Sequence, residues 1–410
     1  MKKILLCLTA LAMGLTFSAC PKDEPEEQKS KEAIELISPI TVNTTLKDLG
    51  LDVDYFFAGS GNLVVENNAT LIIEPGVGIR FSHTGKRGAL LIKNGATIKA
   101  MGTASKRIKF IGTDNSKGSW NGINLETNSE HQFAYCDILN AGNGGGGTSG
   151  FGAVNISSGA KVSFLHCKFT NGNGNGLNIH DYGGVCQITA FNNNVFEDFE
   201  LAPVYLYNSN LKLLEKFDMT SDFTKNKVAY IDTRDFTKLV SDVTLNQTTV
   251  PYHFGGPAQT PSFDKFTLTI NEGVTIYISN GTKRFMASSG RLMINGTASK
   301  KVKITRLPSE TNYFWGSIHF GDLPGSVIKH CIFEYGGSWD VEGMLYMTDK
   351  TQVTLENVEI NNSNSYGAAF SQFPTYIINH SNVTFKGNRL GNVSMYDDVQ
   401  KKWVVLAQFR

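Results

Sequence analysis

The sequence carries little charge, and the charges that it has nearly cancel. Asp, Glu, Lys and Arg make up 18% of the 410 residues, and the formal net charge is +1. Because no strong field of either sign can attract a charged polymer, we expect no nucleic-acid partner. Proline is scarce at 11 residues, whereas glycine is abundant at 41. This balance is typical of many short strands joined by tight turns.

Motifs for metal binding are also absent. The 6 cysteines include no Cys-x-x-Cys pair, and the 8 histidines lack the spacing that holds zinc. A calcium site needs several carboxylates close together, and no such cluster can be assembled from the sequence. We therefore predict neither a metal nor a cofactor.

The N-terminus contains the longest apolar run. Two lysines precede an apolar stretch from Ile4 to Phe17, and two small residues then lead to Cys20. The run is too short to span a membrane comfortably, so residues 1–19 are predicted to be a signal peptide. Phe17-Ser18-Ala19-Cys20 resembles the processing box of bacterial lipoproteins, which implies cleavage before Cys20 and lipidation of that residue. An ordinary secretory signal with an incidental cysteine is the alternative.

A charged segment follows the lipidation site. Residues 21–32 contain no large apolar side chain, so residues 20–43 are predicted to hold the lipidated Cys20 and a disordered acidic tether. Lys22-Asp23-Glu24 resembles the export signal of lipoproteins displayed on Gram-negative outer membranes. The resemblance implies anchoring in the outer membrane and exposure on the cell surface. A plain spacer is the alternative.

The rest of the chain is one long internal repeat. The hexapeptide beginning at Gly102 returns at Gly296, Trp120 returns as Trp315, and the segment around Cys136 returns around Cys331. We place copy one at residues 44–236 and copy two at residues 237–410, with the two copies forming one continuous stack that ends in a terminal cap. Such long β-rich repeats indicate a repetitive architecture.

A shorter motif recurs inside each copy. A breaker is followed by an apolar-x-apolar triplet at spacings of roughly 23 to 31 residues, the length of one solenoid coil. The triplets begin at Ile123, Val154, Leu177 and Val204 in copy one, and at Ile318, Leu345, Ala369 and Val393 in copy two.

These residues resemble the right-handed parallel β-helix, or pectate-lyase-like, superfamily over most of residues 60–410. The predicted fold is therefore all-β, a right-handed parallel β-helix solenoid built from two tandem copies. An array of β-sandwiches is the structural alternative.

The internal cysteines occupy apolar slots of this pattern. Cys136 and Cys167 match positions that copy two fills with Val358 and Val383. A free cysteine behaves as a small hydrophobe, so we expect buried thiols. A Cys136–Cys167 disulfide between neighbouring coils is the alternative in an oxidising compartment.

The middle residue of each triplet should point outward. Side chains alternate along a strand, and neighbouring coils stack about 4.8 Å apart, so these residues are predicted to form a ladder on one outer sheet. Amides and aromatic rings on such a ladder suit a polysaccharide or surface glycan, or they stabilise the solenoid. The ladder contains Asn124, Asn155, Asn178 and Tyr205 in copy one, and His319, Tyr346, Phe370 and Ser394 in copy two.

Two long loops lead into this face. Residues 140–152 are mostly glycine, and residues 335–343 contain Trp339 beside Asp340. Loops carry function more often than the scaffold does, and an exposed Trp339 would suit stacking on a sugar ring. Flexible insertions without a role are the alternative.

Catalytic signals are weak. The candidates are His180 and Asp181 in a His-Asp-Tyr cluster, together with Asp340. Acid–base catalysis needs converging groups, and these residues do not share neighbouring slots of the ladder. The motifs of pectate lyases and polygalacturonases are absent from the chain, which departs in this from the enzymes that it resembles.

These patterns favour a surface lipoprotein that binds a glycan or another cell-surface ligand along one outer sheet and its loops. A polysaccharide lyase or glycoside hydrolase acting on the same face is the first alternative. A structural or adhesive stalk is the second. The fold is shared by proteins of many functions, so the resemblance implies no single activity.

Overall fold

A computed structural model describes residues 32–81, 88–143, 152–181, 184–207, 211–233, 236–255, 260–279, 284–287, 290–321, 325–338, 342–348, 350–371, 377–406 and 409. The chain divides into the units Met1–Glu32 and Ala33–Arg410, and the fold described below is that of the second unit. Cys20, the signal peptide and most of the tether therefore lie outside the described residues. In the described part, no helix combines the length and hydrophobicity needed to cross a membrane.

Strand β1 precedes copy one, which itself contributes short strands and one 3-10 helix. In chain order they are β1 (Ile34–Glu35), β2 (Thr44–Leu46), β3 (Tyr55–Phe57), β4 (Leu63–Val65), β5 (Thr70–Ile73), β6 (Gly78–Phe81), β7 (Leu90–Lys93), β8 (Thr97–Met101), β9 (Ile108–Gly112), β10 (Ile123–Glu126), β11 (Glu130–Ala134), β12 (Cys136–Leu139), β13 (Val154–Ser157), β14 (Lys161–Leu165), β15 (Lys168–Thr170), β16 (Leu177–His180), β17 (Gln187–Asn192), β18 (Val195–Glu197), β19 (Val204–Tyr207), the helix Leu211–Lys216, β20 (Asp222–Lys225) and β21 (Ile231–Thr233).

Copy two continues with β22 (Val243–Leu245), β23 (Tyr252–Phe254), β24 (Thr267–Asn271), β25 (Thr275–Ile278), β26 (Arg284–Ala287), β27 (Arg291–Asn295), β28 (Val302–Arg306), β29 (Ser317–Phe320), β30 (Ser326–Glu334), β31 (Gly343–Met347), β32 (Gln352–Asn361), β33 (Tyr366–Phe370), β34 (Ile377–Ser381), β35 (Thr384–Lys386), β36 (Gly391–Asp397) and β37 (Lys402–Leu406).

The strands wind as a right-handed parallel β-helix of about 11 turns, which confirms the predicted fold class. Each strand pairs in parallel with the strand one coil away, as β10 pairs with β13 and β13 with β16. The expected inward residues are buried: Val154, Ile156, Leu177 and Ile179 are 0% exposed. Phenylalanines also stack along the interior, with the ring centroids of Phe169 and Phe196 separated by 4.3 Å.

The four internal cysteines also belong to the interior. Cys136, Cys167, Cys186 and Cys331 are free and buried, and Cys331 pairs in register with Val358. Burial raises the pKa of the Cys136 and Cys331 thiols well above the usual range, because a thiolate would lose its hydration there. These cysteines therefore act as apolar filling.

Where the two copies meet, one sheet is offset by one face of the repeat. Strand β3 belongs to the sheet β1-β3-β6-β9-β12-β15-β18-β20. Its counterpart in copy two, β23, instead stacks on β21, which continues the sheet of β10, β13, β16 and β19. We call this sheet, which runs through both copies, the long sheet. The strands that correspond to β10 and β13, namely β29 and β31, lie in the separate sheet β26-β29-β31-β33-β36-β37.

The offset corrects the predicted ladder. Asn124, Asn155, Asn178 and Tyr205 do form one column on the long sheet. His319 and Tyr346 form another column on the sheet of β29 and β31, so the two halves do not share one face. The prediction that Phe370 points outward is wrong. Phe370 pairs with Met347 and is 1% exposed, and Ala369 takes the position beside Tyr346.

The end of the solenoid is closed by the last residues. Strand β37 pairs antiparallel with β36. Phe409 is 5% exposed, and its ring centroid lies 5.9 Å from that of Phe370 and 5.5 Å from that of Phe385. Phe409 therefore covers part of the apolar edge of the final coil.

Candidate functional site

The outer column of the long sheet begins in copy one as a ladder of asparagines. Asn155 donates from Nδ2 to Asn124 Oδ1 at 2.8 Å and to the Gly152 carbonyl at 3.1 Å. Its Oδ1 accepts from the Gly152 amide at 2.8 Å and from Asn178 Nδ2 at 3.3 Å. Amides stacked in register thus bond to one another along the solenoid axis, and this occupies much of their capacity to bind a ligand.

The top of this ladder is hidden from solvent. Asn178 and Tyr205 occupy outward positions by register, yet each is only 2% exposed. Asn124 and Asn155 remain half-buried. The predicted direction of these side chains is correct, and a role in ligand binding stays a prediction that their burial does not favour.

At the junction of the two copies, the outer column of the long sheet changes from asparagines to acidic, aromatic and imidazole side chains. Tyr205 pairs with Asp232, Asp232 with His253, and His253 with Tyr277. His253 Nδ1 lies 3.1 Å from Asp232 Oδ1, and His253 Nε2 lies 2.6 Å from Ser279 Oγ. We call Asp232, His253 and Ser279 the junction triad.

The junction triad is buried, with 2% of Asp232, 2% of His253 and 8% of Ser279 exposed. The Tyr230 ring packs against the imidazole, with 4.6 Å between the centroids. The Ser279 amide donates to the Phe254 carbonyl at 3.0 Å, which fixes the backbone that carries the hydroxyl. Three polar side chains from successive coils are thereby held in a single hydrogen-bonded row.

A groove lies on the same face, beside the triad. It encloses about 530 Å³ and is lined by Pro251, Thr275, Tyr277, Lys303, Thr305, Arg306, Leu307, Pro308, Glu334 and Tyr335. We call this the junction groove. Tyr277 connects the two sites, because it pairs in register with His253 of the triad and also lines the groove.

The charged groups of the junction groove are held by their neighbours. Lys303 Nζ lies 2.8 Å from Glu334 Oε2. The Arg306 guanidinium stacks 4.0 Å above the Tyr335 ring centroid and donates to the Tyr313 carbonyl at 2.9 Å. Aromatic surface, a carboxylate and two cations therefore line one cleft in fixed positions.

The second column, in copy two, forms a smaller aromatic cluster. The His319 and Tyr346 ring centroids lie 4.8 Å apart, and Trp403 lies 6.3 Å from Tyr346. Burial, assisted by the Arg284 charge, lowers the pKa of His319 to about 4, so the imidazole is neutral at pH 7. Burial also raises the pKa of Tyr346. His319 and Tyr346 do come together as predicted, but on a different sheet from the asparagines.

In the predicted catalytic cluster, Asp181 and His180 each contact a different neighbour. Asp181 Oδ1 accepts a hydrogen bond from the Cys186 backbone amide at 3.0 Å. Burial raises the pKa of Asp181, and the His180 ring lies 5.4 Å from that of Tyr207. Trp339 and Asp340 lie outside the described residues. Among the described residues, no group of three or more His, Cys, Asp or Glu side chains is placed to hold a metal ion.

Sequence reasoning missed the junction triad and the junction groove. The triplet Tyr252-His253-Phe254 carries the same apolar-x-apolar signal as the ladder, with a histidine in the outward slot. That signal identified a strand, but Asp232 and Ser279 are 21 and 26 residues away from His253. Their contact depends on the stacking at the junction.

Comparison with known proteins supports the fold over part of the chain. A family model described as a pectate-lyase like beta helix domain matches residues 43–182, about a third of the sequence. No curated protein and no solved structure matches the chain. The matched segment lies in copy one and ends before the junction triad.

Proposed function

We propose that this protein, a parallel β-helix whose residues 43–182 match the pectate-lyase like beta helix family model, is a surface lipoprotein that binds a glycan in the junction groove. The volume and lining of the groove support this proposal. At about 530 Å³ it falls within the range of small-ligand sites, and it combines aromatic rings with a few polar groups.

The chemistry of the groove suits a sugar ring. The rings of Tyr277 and Tyr335 offer flat apolar surface for the C–H face of a pyranose, while Glu334 and Thr305 offer oxygens for its hydroxyls. Arg306 is already ordered over Tyr335, so less side-chain entropy is lost when a ligand binds. The groove replaces the asparagine ladder as the preferred site because it is a cleft with aromatic and polar lining, whereas Asn178 and Tyr205 in the outer column are each only 2% exposed.

Binding is tested with the full-length protein purified in detergent. A glycan array identifies a ligand, and calorimetry then measures its affinity for the wild type and for Tyr277→Ala. Aromatic anchors tend to dominate recognition, so Tyr277→Ala should weaken binding at least about tenfold, or about 1.4 kcal/mol.

The duplication provides a matched control for this experiment. Arg80 occupies the position in copy one that Tyr277 occupies in copy two, because it pairs with Phe56 as Tyr277 pairs with His253. Arg80→Ala should leave the affinity unchanged. Equal losses in both variants would refute the groove as the binding site, and the absence of any glycan ligand would favour a structural stalk.

The proposed anchor is tested separately. Cys20 follows the small residues that end the signal peptide, so lipidation there would tether the β-helix to the outer membrane. Cys20→Ala should move the protein from the membrane fraction to the soluble fraction. Retention of the variant with the membranes would contradict anchoring through Cys20. Protease treatment of intact cells then tests whether the β-helix faces the medium.

A further inference from the structure

We propose that the junction triad is a nucleophilic site, in which Ser279 attacks the carbonyl of an ester that carries a small acyl group. His253 is the general base, and Asp232 is a positioning residue that orients the imidazole. This activity goes beyond glycan binding and differs from the lyase and glycosidase chemistry of the resembling enzymes.

The contacts of the triad suit proton transfer from Ser279 to His253. In the tautomer that carries its proton on Nδ1, His253 donates to the Asp232 carboxylate over 3.1 Å. In the same tautomer, Nε2 accepts from Ser279 Oγ over 2.6 Å. This is the tautomer that a histidine needs to remove the proton of a serine hydroxyl.

The surrounding structure holds each member in place. Asp232, His253 and Ser279 lie on three successive coils of the long sheet, with His253 between the other two. The Tyr230 ring covers the imidazole, and the bonded backbone amide of Ser279 holds the residue against Phe254. Groups on rigid strands keep the short contacts that proton transfer requires.

Copy one shows that the repeat does not need this triad in order to fold. Glu35 pairs with Phe56 as Asp232 pairs with His253. The sequence also places Ser82 directly after Phe81, which corresponds to Ser279 after Ile278. A phenylalanine therefore fills the position of His253 in the other copy, and packing alone does not explain a buried histidine between an acid and a serine.

The proposed reaction balances without a cofactor. As Ser279 Oγ bonds to the ester carbonyl carbon, its proton passes to His253 Nε2. The carbon–oxygen bond to the alcohol then breaks, the alcohol takes that proton, and an acyl-serine remains. Water, deprotonated by the same nitrogen, hydrolyses the acyl-serine and releases the carboxylic acid together with free Ser279.

Burial limits the acyl group. Ser279 is 8% exposed, so an acetyl group suits the site better than a long chain. If the neighbouring junction groove holds a glycan, the alcohol of the ester would be a sugar hydroxyl. This identification of the alcohol rests on the proposed function. The ester chemistry itself does not depend on the groove and is tested with simple esters.

The experiment treats the full-length protein with a fluorophosphonate, which traps activated serines, and maps the modified peptide by mass spectrometry. Hydrolysis of p-nitrophenyl acetate is measured in parallel. Ser279 should be labelled in the wild type. Ser279→Ala should abolish the labelling and reduce kcat/KM at least about 100-fold, the lower range for loss of a positioned catalytic group.

Two further variants separate catalysis from folding. His253→Phe copies the residue of copy one, so it should keep the wild-type circular dichroism spectrum but lose both labelling and hydrolysis. Asp232→Asn should lower kcat with little change in KM, because it disturbs the tautomer and leaves the surroundings of Ser279 in place. If folded wild-type protein is not labelled at Ser279, or if Ser279→Ala hydrolyses the ester at the wild-type rate, the proposal is wrong. If the protein hydrolyses the ester but binds no glycan, the proposed glycan site in the junction groove is wrong, whereas the proposed nucleophilic site is not affected.

Discussion

The asparagine ladder makes a quantitative prediction about stability. Asn155 joins three coils through four hydrogen bonds, two of them to the Gly152 backbone and one each to Asn124 and Asn178. A hydrogen bond contributes about 0.5–1.5 kcal/mol net to folding. Asn155 is half-buried, so water replaces part of what is lost. We therefore expect Asn155→Ala to lower the free energy of unfolding by about 2–4 kcal/mol.

The control lies in the same column. Asn124 accepts the bond from Asn155 at 2.8 Å, and Asn124→Ala removes this one described contact, so its expected loss is about 1 kcal/mol. Urea unfolding followed by tryptophan fluorescence measures both variants. Trp120 and Trp315 are buried in copy one and copy two, and they report on both halves.

The comparison of the two variants decides the role of the ladder. If Asn155→Ala costs no more than Asn124→Ala, within about 0.5 kcal/mol, the ladder is not a main stabilising element. Glycan affinity gives an independent check, since a purely structural ladder leaves binding in the junction groove unchanged once the variant is folded.

Two other predictions concern the core and the pH dependence of stability. Leu177→Ala empties a site that is 0% exposed and should lower the free energy of unfolding by about 2–5 kcal/mol in the same urea assay; a loss under about 1 kcal/mol would contradict the observed packing. Burial lowers the pKa of His131 and of His319 from the usual 6.5 to about 4. Between these values the two histidines bind protons in the unfolded chain but not in the folded chain. The stability that they contribute should therefore be fully present above pH 6.5 and should fall between about pH 6.5 and 4. His319→Gln should reduce this fall, as measured by the urea midpoint at each pH, and an unchanged pH profile would count against the buried neutral imidazole.

Much of the fold could be predicted from alternation along single strands. In β10, β13 and β16 a polar residue stands between two apolar ones, so the inward and outward sides were unambiguous. In β33 the segment Ala368-Ala369-Phe370 is apolar throughout, and nothing marks the phase of the strand. The predicted phase of this strand was therefore wrong by one residue. Phe370 was predicted to point outward, whereas in the structure it is buried.

The candidate site was harder to predict because it depends on how coils stack. Asp232, His253 and Ser279 each occupy an unremarkable strand position, and none shares a motif with the others. The sequence shows that the two copies correspond, but it does not show on which face copy two begins. That choice decides whether His253 stacks on Asp232 or on a residue of another sheet.

Because of the one-face offset, the long sheet is built from two different strands of the repeat unit. Its lower part descends from one strand of the repeat unit, and its upper part descends from a different strand of the same unit. A duplication stacked in line would have repeated one surface twice. The offset of this one sheet brings together residues that never meet within either copy, and so a new chemical surface arises at a boundary without any new fold.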